Sequence, residues 1–339
     1  MNEKNIKAIA LVSGGLDSIL AAKIVAQLGV EVVAVNFIVP FWLLEKQKAM
    51  QKQVLEACQQ IGVRCEIVDI SGGCRQMLED PQYGFGAHMN PCIDCRLLML
   101  KKAGELMKNY NASFLITGEV AGQRPMSQKK ETLRMIEKRS GLEGLILRPL
   151  SAQLLEPTIP EQKGWVDRLK LFGISGRSRN EQMKLARQFQ INDYPNPGGG
   201  CLLTDPAFSR RFQDLLTHGA WNRRDLDLLK MGRLFRINRE SKLIVGRNEK
   251  ENAALEAAAS EKDIIFTPLP QVCGPSALGV GRFFHIGDVA LSAMIVCRYI
   301  NKKTSPTGET CEILIRRGGK EECLHVPPLG EEDIRYYQV

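Results

Sequence analysis

The sequence of 339 residues predicts an α/β domain with a doubly wound, mostly parallel sheet, followed by a smaller α+β domain. Three observations carry that expectation. Apolar runs of strand length, without polar alternation, recur through the first third, as strands covered on both faces require. Stretches of helical periodicity separate them, which is the spacing of parallel crossover units. After Pro206 short strands and helices follow in a different rhythm, and no internal repeat or low-complexity segment interrupts either part.

Taken in order, 6–12 is an apolar run of strand length, and 18–28 has helical periodicity that stops at Gly29, a favourable C-terminal residue. Residues 30–37 read as a second buried strand, 45–61 as a helix, 65–70 as a strand, 95–110 as a helix and 113–117 as a strand. A ligand of such a sheet is expected at the carboxyl ends of its strands. Residues 151–205 are loop-rich, with PTIP at 157–160, a helix-like 179–189 and NPGGG at 196–200. Beyond Pro206 the expected elements are strands at 234–237 and 242–245, a helix at 249–259, a strand at 263–267, a helix at 288–300, and strands at 312–316 and 322–326. The domains are therefore expected at 1–205 and 206–339.

With 44% hydrophobic and 25% charged residues the composition is that of a globular chain, not a disordered one. No signal-peptide pattern opens it, and every apolar stretch breaks before membrane-spanning length. Ten cysteines without a secretory signal point to a reducing, cytoplasmic setting. The net charge of +8 is uneven. Residues 1–120 balance 12 basic against 12 acidic side chains, 121–190 hold 14 against 7, and 206–250 hold 11 against 5. An anionic partner for the two basic segments is one reading, and solvated helix faces are the other.

Ser13-Gly14-Gly15-Leu16-Asp17-Ser18 joins the first strand to the first helix. Two glycines let backbone N–H groups approach an anion, and the helix behind them adds the positive end of its dipole. Ser13 and Ser18 offer hydroxyls, and Asp17 could cap the helix or hold a magnesium ion. The loop is neither GxxxxGK[ST] nor GxGxxG. It suits the pyrophosphate tail of ATP, leaving the α-phosphorus open to attack.

Cys92-Ile93-Asp94-Cys95 is a CxxC before an amphipathic helix, and Cys201 follows Gly198-Gly199-Gly200. Three chemistries fit. The thiols could ligate an iron–sulfur cluster with one iron left open, form a persulfide and resolving pair, or join His88 around zinc. The remaining cysteines, Cys74 among them, read as buried thiols.

The hexapeptide resembles the PP-loop of the adenine-nucleotide alpha-hydrolase superfamily, whose members cleave ATP between its α- and β-phosphates. The ordered series Cys92-x-x-Cys95-Arg96, Thr117-Gly118-Glu119, Gly122-Gln123, Ser127-Gln128 and Leu147-Arg148-Pro149-Leu150 resembles the catalytic domain of tRNA 4-thiouridine synthetases. Gly200-Cys201 matches in order that family's later active-site cysteine, and Asn90-Pro91 is similar to a dipeptide of the sister 2-thiouridylases. The resemblance covers about residues 6–205 and implies a Rossmann-like PP-loop ATP pyrophosphatase. ATP and Mg2+ would be bound by Ser13, Gly14, Gly15, Asp17, Ser18, Gly118 and Glu119. Cys95, Cys201 and Asp17 would be catalytic, and Cys92, Cys95 and Cys201 would hold a [4Fe-4S] cluster as in cluster-dependent thiolation enzymes.

Lys242-Leu243-Ile244-Val245-Gly246-Arg247-Asn248-x-x-Glu251-Asn252 resembles the VGRNxxEN motif of the NFACT RNA-binding domain, extending loosely over 206–339. Arg236, Arg239, Lys242, Arg247 and Asn248 are then the expected RNA contacts. Together the resemblances imply a tRNA sulfurtransferase that turns ATP into AMP and pyrophosphate. Its partners would be tRNA and a sulfur donor, either sulfide or a persulfide carrier, with no membrane; a homodimer stays open. Two other classes stay open too: PP-loop chemistry on a small molecule, and an RNA-binding factor with a regulatory nucleotide site.

Overall fold

The computed structural model describes residues 6–41, 44–124, 126–191, 194, 201–219, 221–300 and 310–339. The chain folds into two compact units, Met1–Thr204 and Asp205–Val339. The glycine run at 198–200 lies outside the described residues.

In the first unit the order is β1 (Lys7–Leu11), α1 (Leu16–Gln27), β2 (Glu31–Ile38), α2 (Leu44–Gln60), β3 (Arg64–Asp69), α3 (Ser71–Glu79), α4 (Cys92–Tyr110), β4 (Phe114–Thr117), α5 (Lys130–Ser140), β5 (Ile146–Leu147), α6 (Ile159–Gln162) and α7 (Asn180–Gln188). The five strands form one sheet in the order β3-β2-β1-β4-β5, parallel throughout. Alternate residues of β1 serve opposite cores. Ala8 and Ala10 pack in the cluster holding α1 and α7, whereas Ile9 and Leu11 pack in the cluster holding α4. That two-sided burial is why the strands read as unbroken apolar runs.

The chain winds outward from β1 through β2 to β3, then returns to place β4 on the other side of β1. The crevice between the carboxyl ends of β1 and β4 is therefore the topological switch point, where open α/β sheets bind ligands. Ser13–Ser18 leaves one of these ends, and Gly118-Glu119 leaves the other.

In this unit α3, α5, the four-residue α6 and the short β5 have no counterpart in the sequence expectation, which placed 157–160 in a loop-rich stretch. α3 contains Gly72 and Gly73, poor helix formers. A Cβ on Gly73 would lie 3.0 Å from Leu98 Cδ1, so glycine is what lets α3 pack closely on α4.

The second unit runs α8 (Pro206–Thr217), α9 (Arg223–Leu228), β6 (Arg233–Asn238), β7 (Ser241–Val245), α10 (Glu249–Ala257), β8 (Ile264–Pro268), β9 (Ala277–Gly281), α11 (Ile286–Arg298), β10 (Cys311–Arg317), β11 (Lys320–Val326) and α12 (Glu331–Tyr337). Its six strands form an antiparallel sheet in the order β11-β10-β8-β9-β7-β6. α11 lays Val289, Ala293 and Val296 into the core with Phe235, Phe266 and Ile313 from the sheet. Among the described residues no helix is long and apolar enough to cross a membrane.

Candidate active site

The loop after β1 is tied down by its own side chains. Ser18 Oγ donates to Gly15 O at 2.7 Å and accepts from Ser13 N at 3.2 Å. Buried Asn36 on β2 donates to Val12 O at 2.7 Å, fixing where the strand gives way to the loop. Gly14 has φ +84°, and a Cβ there would come within 2.8 Å of Val54 Cγ2, so glycine is required twice over. Ser13 and Ser18 thus hold the loop's shape and engage the N–H groups of Gly15 and Ser13, so the loop's other backbone N–H groups are the means of meeting an anion.

Asp17 does not cap α1, whose N-cap is Gly15. Its Oδ2 accepts from Gln123 Nε2 at 3.0 Å and lies 3.5 Å from the Arg179 guanidinium. Its Oδ1 is buried with no hydrogen-bond partner among the described residues. A buried carboxylate oxygen without a partner is costly to leave so, and an oxygen-seeking cation such as Mg2+ would satisfy it.

Gly118 is pressed against the start of α1. A Cβ on it would stand 2.4 Å from Ser18 N and 2.5 Å from Asp17 C and Ser18 Cα. The glycine of the TGE motif therefore lets β4 seat the phosphate loop. Glu119 is buried beside it, ion-paired to Arg96 at 2.9 Å and Arg148 at 3.1 Å, and accepts from Thr117 Oγ1 at 3.1 Å. Arg148 also bonds Glu137 at 2.6 Å. Burial alone would push the Glu119 carboxyl up, but the two guanidinium groups outweigh it and hold it below the usual range. Glu119 is thus committed to this network, which ties α4 to β4.

Because its folded pKa is depressed, Glu119 contributes stability that is present above its unfolded pKa and lost as pH falls through the folded value. Glu119→Gln is expected to cost about 3 kcal/mol, since it removes the counter-charge of half-buried Arg96 and leaves buried Arg148 with Glu137 alone. Urea titrations should show that loss at pH 7 and a smaller difference between variant and wild type at acid pH. Equal stability at pH 7 would contradict the network.

Cys92 and Cys95 both lie in the first turn of α4, not ahead of it, and Cys95 N donates to Pro91 O at 2.8 Å. The turn is anchored by Asp94, which accepts from Gln82 N at 3.0 Å and Tyr83 N at 3.1 Å. Cys201 opens a short 3-10 turn, Leu202–Thr204, whose Leu202 N donates to Phe41 O at 3.1 Å just beyond β2. The structure brings these three thiols into one another's electrostatic field and adds Cys74 of α3, which the sequence reading set aside. Burial, then the charges of Cys74, Cys201 and Cys92, push the Cys95 thiol up to about 12 against the opposing Arg96. Burial pushes Cys201 up to about 11, opposed by Leu203 N–H and by Arg124. Cys92 is raised by burial against Arg124 and against Asn90, whose Nδ2 donates to its sulfur at 3.2 Å. A helix N-terminus normally lowers a thiol pKa, so desolvation and mutual repulsion win here.

Among the described residues no group of three His, Cys, Asp or Glu side chains is set to hold a metal ion. A cluster asks for something different, namely thiolates that each reach their own iron around a shared space. Thiols that resist ionising together are stabilised as thiolates once cationic metal is among them. The donor set of Cys92, Cys95 and Cys201 fits that chemistry.

Two short bridges join the thiols to the phosphate loop. Cys95 neighbours Arg96, which pairs with Glu119, whose neighbour Gly118 touches Asp17 and Ser18. Asp17 bonds Gln123, whose neighbour Arg124 acts on Cys92 and Cys201. Arg96, Gln123, Arg124, Arg148 and Arg179 were absent from the expected site. Three of them stood inside the quoted motifs, where their type was legible but not their contacts.

The expected RNA contacts of the second unit are mostly engaged in folding. Arg236 is held by Asp214 and donates to Ser241 O at 3.2 Å. Lys242 is buried and bonds Asp225 at 3.0 Å, which takes it out of reach of a polyanion. Arg247 forks onto Glu251, Asn248 caps α10 by accepting from Glu251 N at 3.0 Å, and a Cβ on Gly246 would strike Asn252 Oδ1 at 2.1 Å. The VGRNxxEN run is thus a strand-to-helix corner. Arg239 stands exposed in the β6–β7 turn.

Residues 4–155 match the family model described as "Thiamine biosynthesis protein (ThiI)", and residues 232–338 match "NFACT protein RNA binding domain". The first unit is thus similar to the ThiI family and the second to the NFACT RNA-binding domain. Over 144 residues it is 29% identical to the "Probable tRNA sulfurtransferase" of Thermococcus kodakarensis, covering 42% of this chain and 36% of that one. It is 27% identical over 199 residues to the tRNA-specific 2-thiouridylase MnmA of Synechocystis sp., covering 55% and 50%. A solved 4-thiouridine synthetase–RNA complex with bound ATP aligns at 23% identity and a TM-score of 0.37, covering 66% of this chain and 52% of that one. The chain spans between a third and a half of the length of these two curated relatives. Within the matched span 4–155 lie Asp17, Cys92, Cys95, Gly118 and Glu119, whereas Arg179 and Cys201 follow it.

Proposed function

We propose that the chain is an ATP-dependent tRNA sulfurtransferase that thiolates a uridine. The observation that carries this reading is the pair of bridges joining the phosphate loop to Cys92, Cys95 and Cys201. Adenylating enzymes need the first feature, sulfur insertion needs the second, and the reaction needs them together. The sulfurtransferase and thiouridylase relatives support the same substrate class.

The loop's N–H groups hold the β- and γ-phosphates, and Asp17 holds the cation that accompanies them. A uracil carbonyl oxygen attacks the α-phosphorus, the bond to the β-phosphate oxygen breaks, and pyrophosphate leaves. Fixed N–H donors meet the charge that grows on the leaving group, which is where preorganised dipoles accelerate a reaction. A sulfur nucleophile at the oxidation level of sulfide adds to the activated carbon and expels AMP, leaving the thiocarbonyl. A [4Fe-4S] cluster on Cys92, Cys95 and Cys201 would supply an open iron for that sulfide. The positive charge of Arg124 favours the thiolate forms of Cys92 and Cys201. An unstacked base is required to reach such a site, so the target lies in a loop or bend of the tRNA. The second unit binds the tRNA.

The reading predicts that ATP labelled at the α-phosphate is converted to AMP and pyrophosphate only when tRNA is present. Turnover to AMP with a small carbonyl compound and without RNA would replace it with chemistry on a metabolite. RNA binding with no nucleotide cleavage would leave only a nucleotide-regulated binder.

A further inference from the structure

On the second unit, the loop between β9 and α11 spends unusual effort to expose an aromatic ring. Gly281 has φ +104°, and a Cβ there would meet Glu240 O at 2.0 Å, so no other residue fits where the loop leaves β9. Gly279 makes the room that Phe283 fills, since a Cβ would stand 2.7 Å from that ring, and Phe283 packs on Phe266 with centroids 6.5 Å apart. Asp288 Oδ2 then gathers the loop, accepting from Phe284 N at 3.2 Å, His285 N at 3.3 Å and Asn238 Nδ2 at 2.8 Å. The result is that Phe283 is buried while Phe284, its neighbour, is 56% exposed on a fixed backbone.

Phe284 borders a basin of roughly 530 Å³, within the range of small-ligand clefts. Arg224, Lys262, Arg282 and Arg317 line it, with Asp263 as the one carboxylate among its lining residues. Arg224 neutralises that carboxylate and is held in place by Ala258 O at 2.9 Å. Lys262 and Arg317 are exposed, and Arg282 forms an exposed ion pair with Glu240 at 3.6 Å. Arg317 is delivered by a two-residue turn, Gly318-Gly319, with φ +53° and +77°, the values of the tight hairpin turn that glycines favour.

We infer that this basin is a binding site for an unpaired nucleotide of RNA, with a base stacked on Phe284 and flanking phosphates on Arg282, Arg317 and Lys262. It rests on the RNA-binding reading of the second unit and assigns that unit a contact surface other than the VGRNxxEN corner. A rigid aromatic set among cations is the arrangement of single-strand platforms, since every base has a face to stack and every link carries a phosphate. A duplex offers neither an exposed base face nor a bend into the basin.

The test uses the full chain and a fluorescein-labelled single-stranded RNA of twelve nucleotides, with a blunt RNA duplex of that length and tRNA alongside. Phe284→Ala is expected to weaken single-strand binding about tenfold at fixed salt, and Phe284→Tyr to restore it. Arg317→Ala should reduce the slope of log K against log salt by about 0.7, the loss of one phosphate contact. If the wild type binds RNA and Phe284→Ala binds it equally well, the site is overturned and the RNA-binding reading survives. A wild type that binds none of the three RNAs overturns both. Binding of a polyglutamate peptide through Phe284 and Arg317 in preference to RNA would make the basin a dock for an acidic protein segment and overturn the proposal.

Discussion

Gly118→Ala should slow tRNA-dependent pyrophosphate release about 100-fold while leaving a folded chain. The added Cβ would stand 2.4 Å from Ser18 N and 2.5 Å from two further backbone atoms of the phosphate loop. Backbone cannot step aside as a flexible side chain can, so either β4 or the start of α1 must move. Overpacking of this kind costs about 1–3 kcal/mol of stability, which a domain of this size tolerates. The rate does not tolerate it, because a displacement near 1 Å of groups that position reacting atoms lowers rates by about 100-fold. Gly72→Ala is the matched control. It lies on α3 with nothing within 4 Å of its new Cβ, and should leave the rate unchanged. Equal rates for both variants would mean that the phosphate loop does not depend on β4 for its placement.

Cys92→Ala, Cys95→Ala and Cys201→Ala should each remove the thiolated product while sparing pyrophosphate release to within a few-fold. The separation follows from the geometry. The loop that grips phosphate is held by Ser13, Ser18, Asn36 and Gly118, none of which contacts a thiol through more than the bridges described. Adenylation can therefore proceed and stall, and the adenylated base then falls back to uridine by hydrolysis. Product formation by Cys92→Ala and Cys201→Ala near the wild-type level would end the thiolation mechanism. Cys74→Ala distinguishes a fourth participant from a packing residue: its buried thiol donates to Ile70 O at 3.4 Å, and a mere packing role predicts lower stability with product retained.

Much of the first unit was legible because physics writes it twice. Strands covered on both faces must be apolar at every position, and the Gly-Gly turn after β1 is demanded by the positive φ of Gly14. What escaped was structure carried by contact. α3 hides behind Gly72-Gly73, whose small size serves packing against Leu98, and β9 hides behind Gly279 and Gly281, which make space for Phe283 and Glu240. β5 has two residues, too few for any period.

In the site, residue types were readable and partners were not. Asp17 and Glu119 stood out as carboxylates, yet one keeps an unpartnered buried oxygen and the other is spent on two arginines. The charge of 206–250 misled for the same reason. Arg236 and Lys242 look like a basic stripe until Asp214 and Asp225, 22 and 17 residues earlier, fold back onto them. The basin around Phe284 could not be assembled by eye, since its lining is drawn from positions scattered between Arg224 and Arg317.

The central claim is that one site both activates a uracil carbonyl and replaces its oxygen by sulfur. Nucleoside mass spectrometry of tRNA from a strain lacking this chain, beside the same strain complemented with it, tests that claim most directly. Iron and sulfide are counted in the anaerobically purified protein used for complementation controls. The account predicts that one thiouridine disappears with the gene, returns with the wild-type chain, and does not return with Cys201→Ala. An unchanged thiouridine profile in the deletion strain would contradict it.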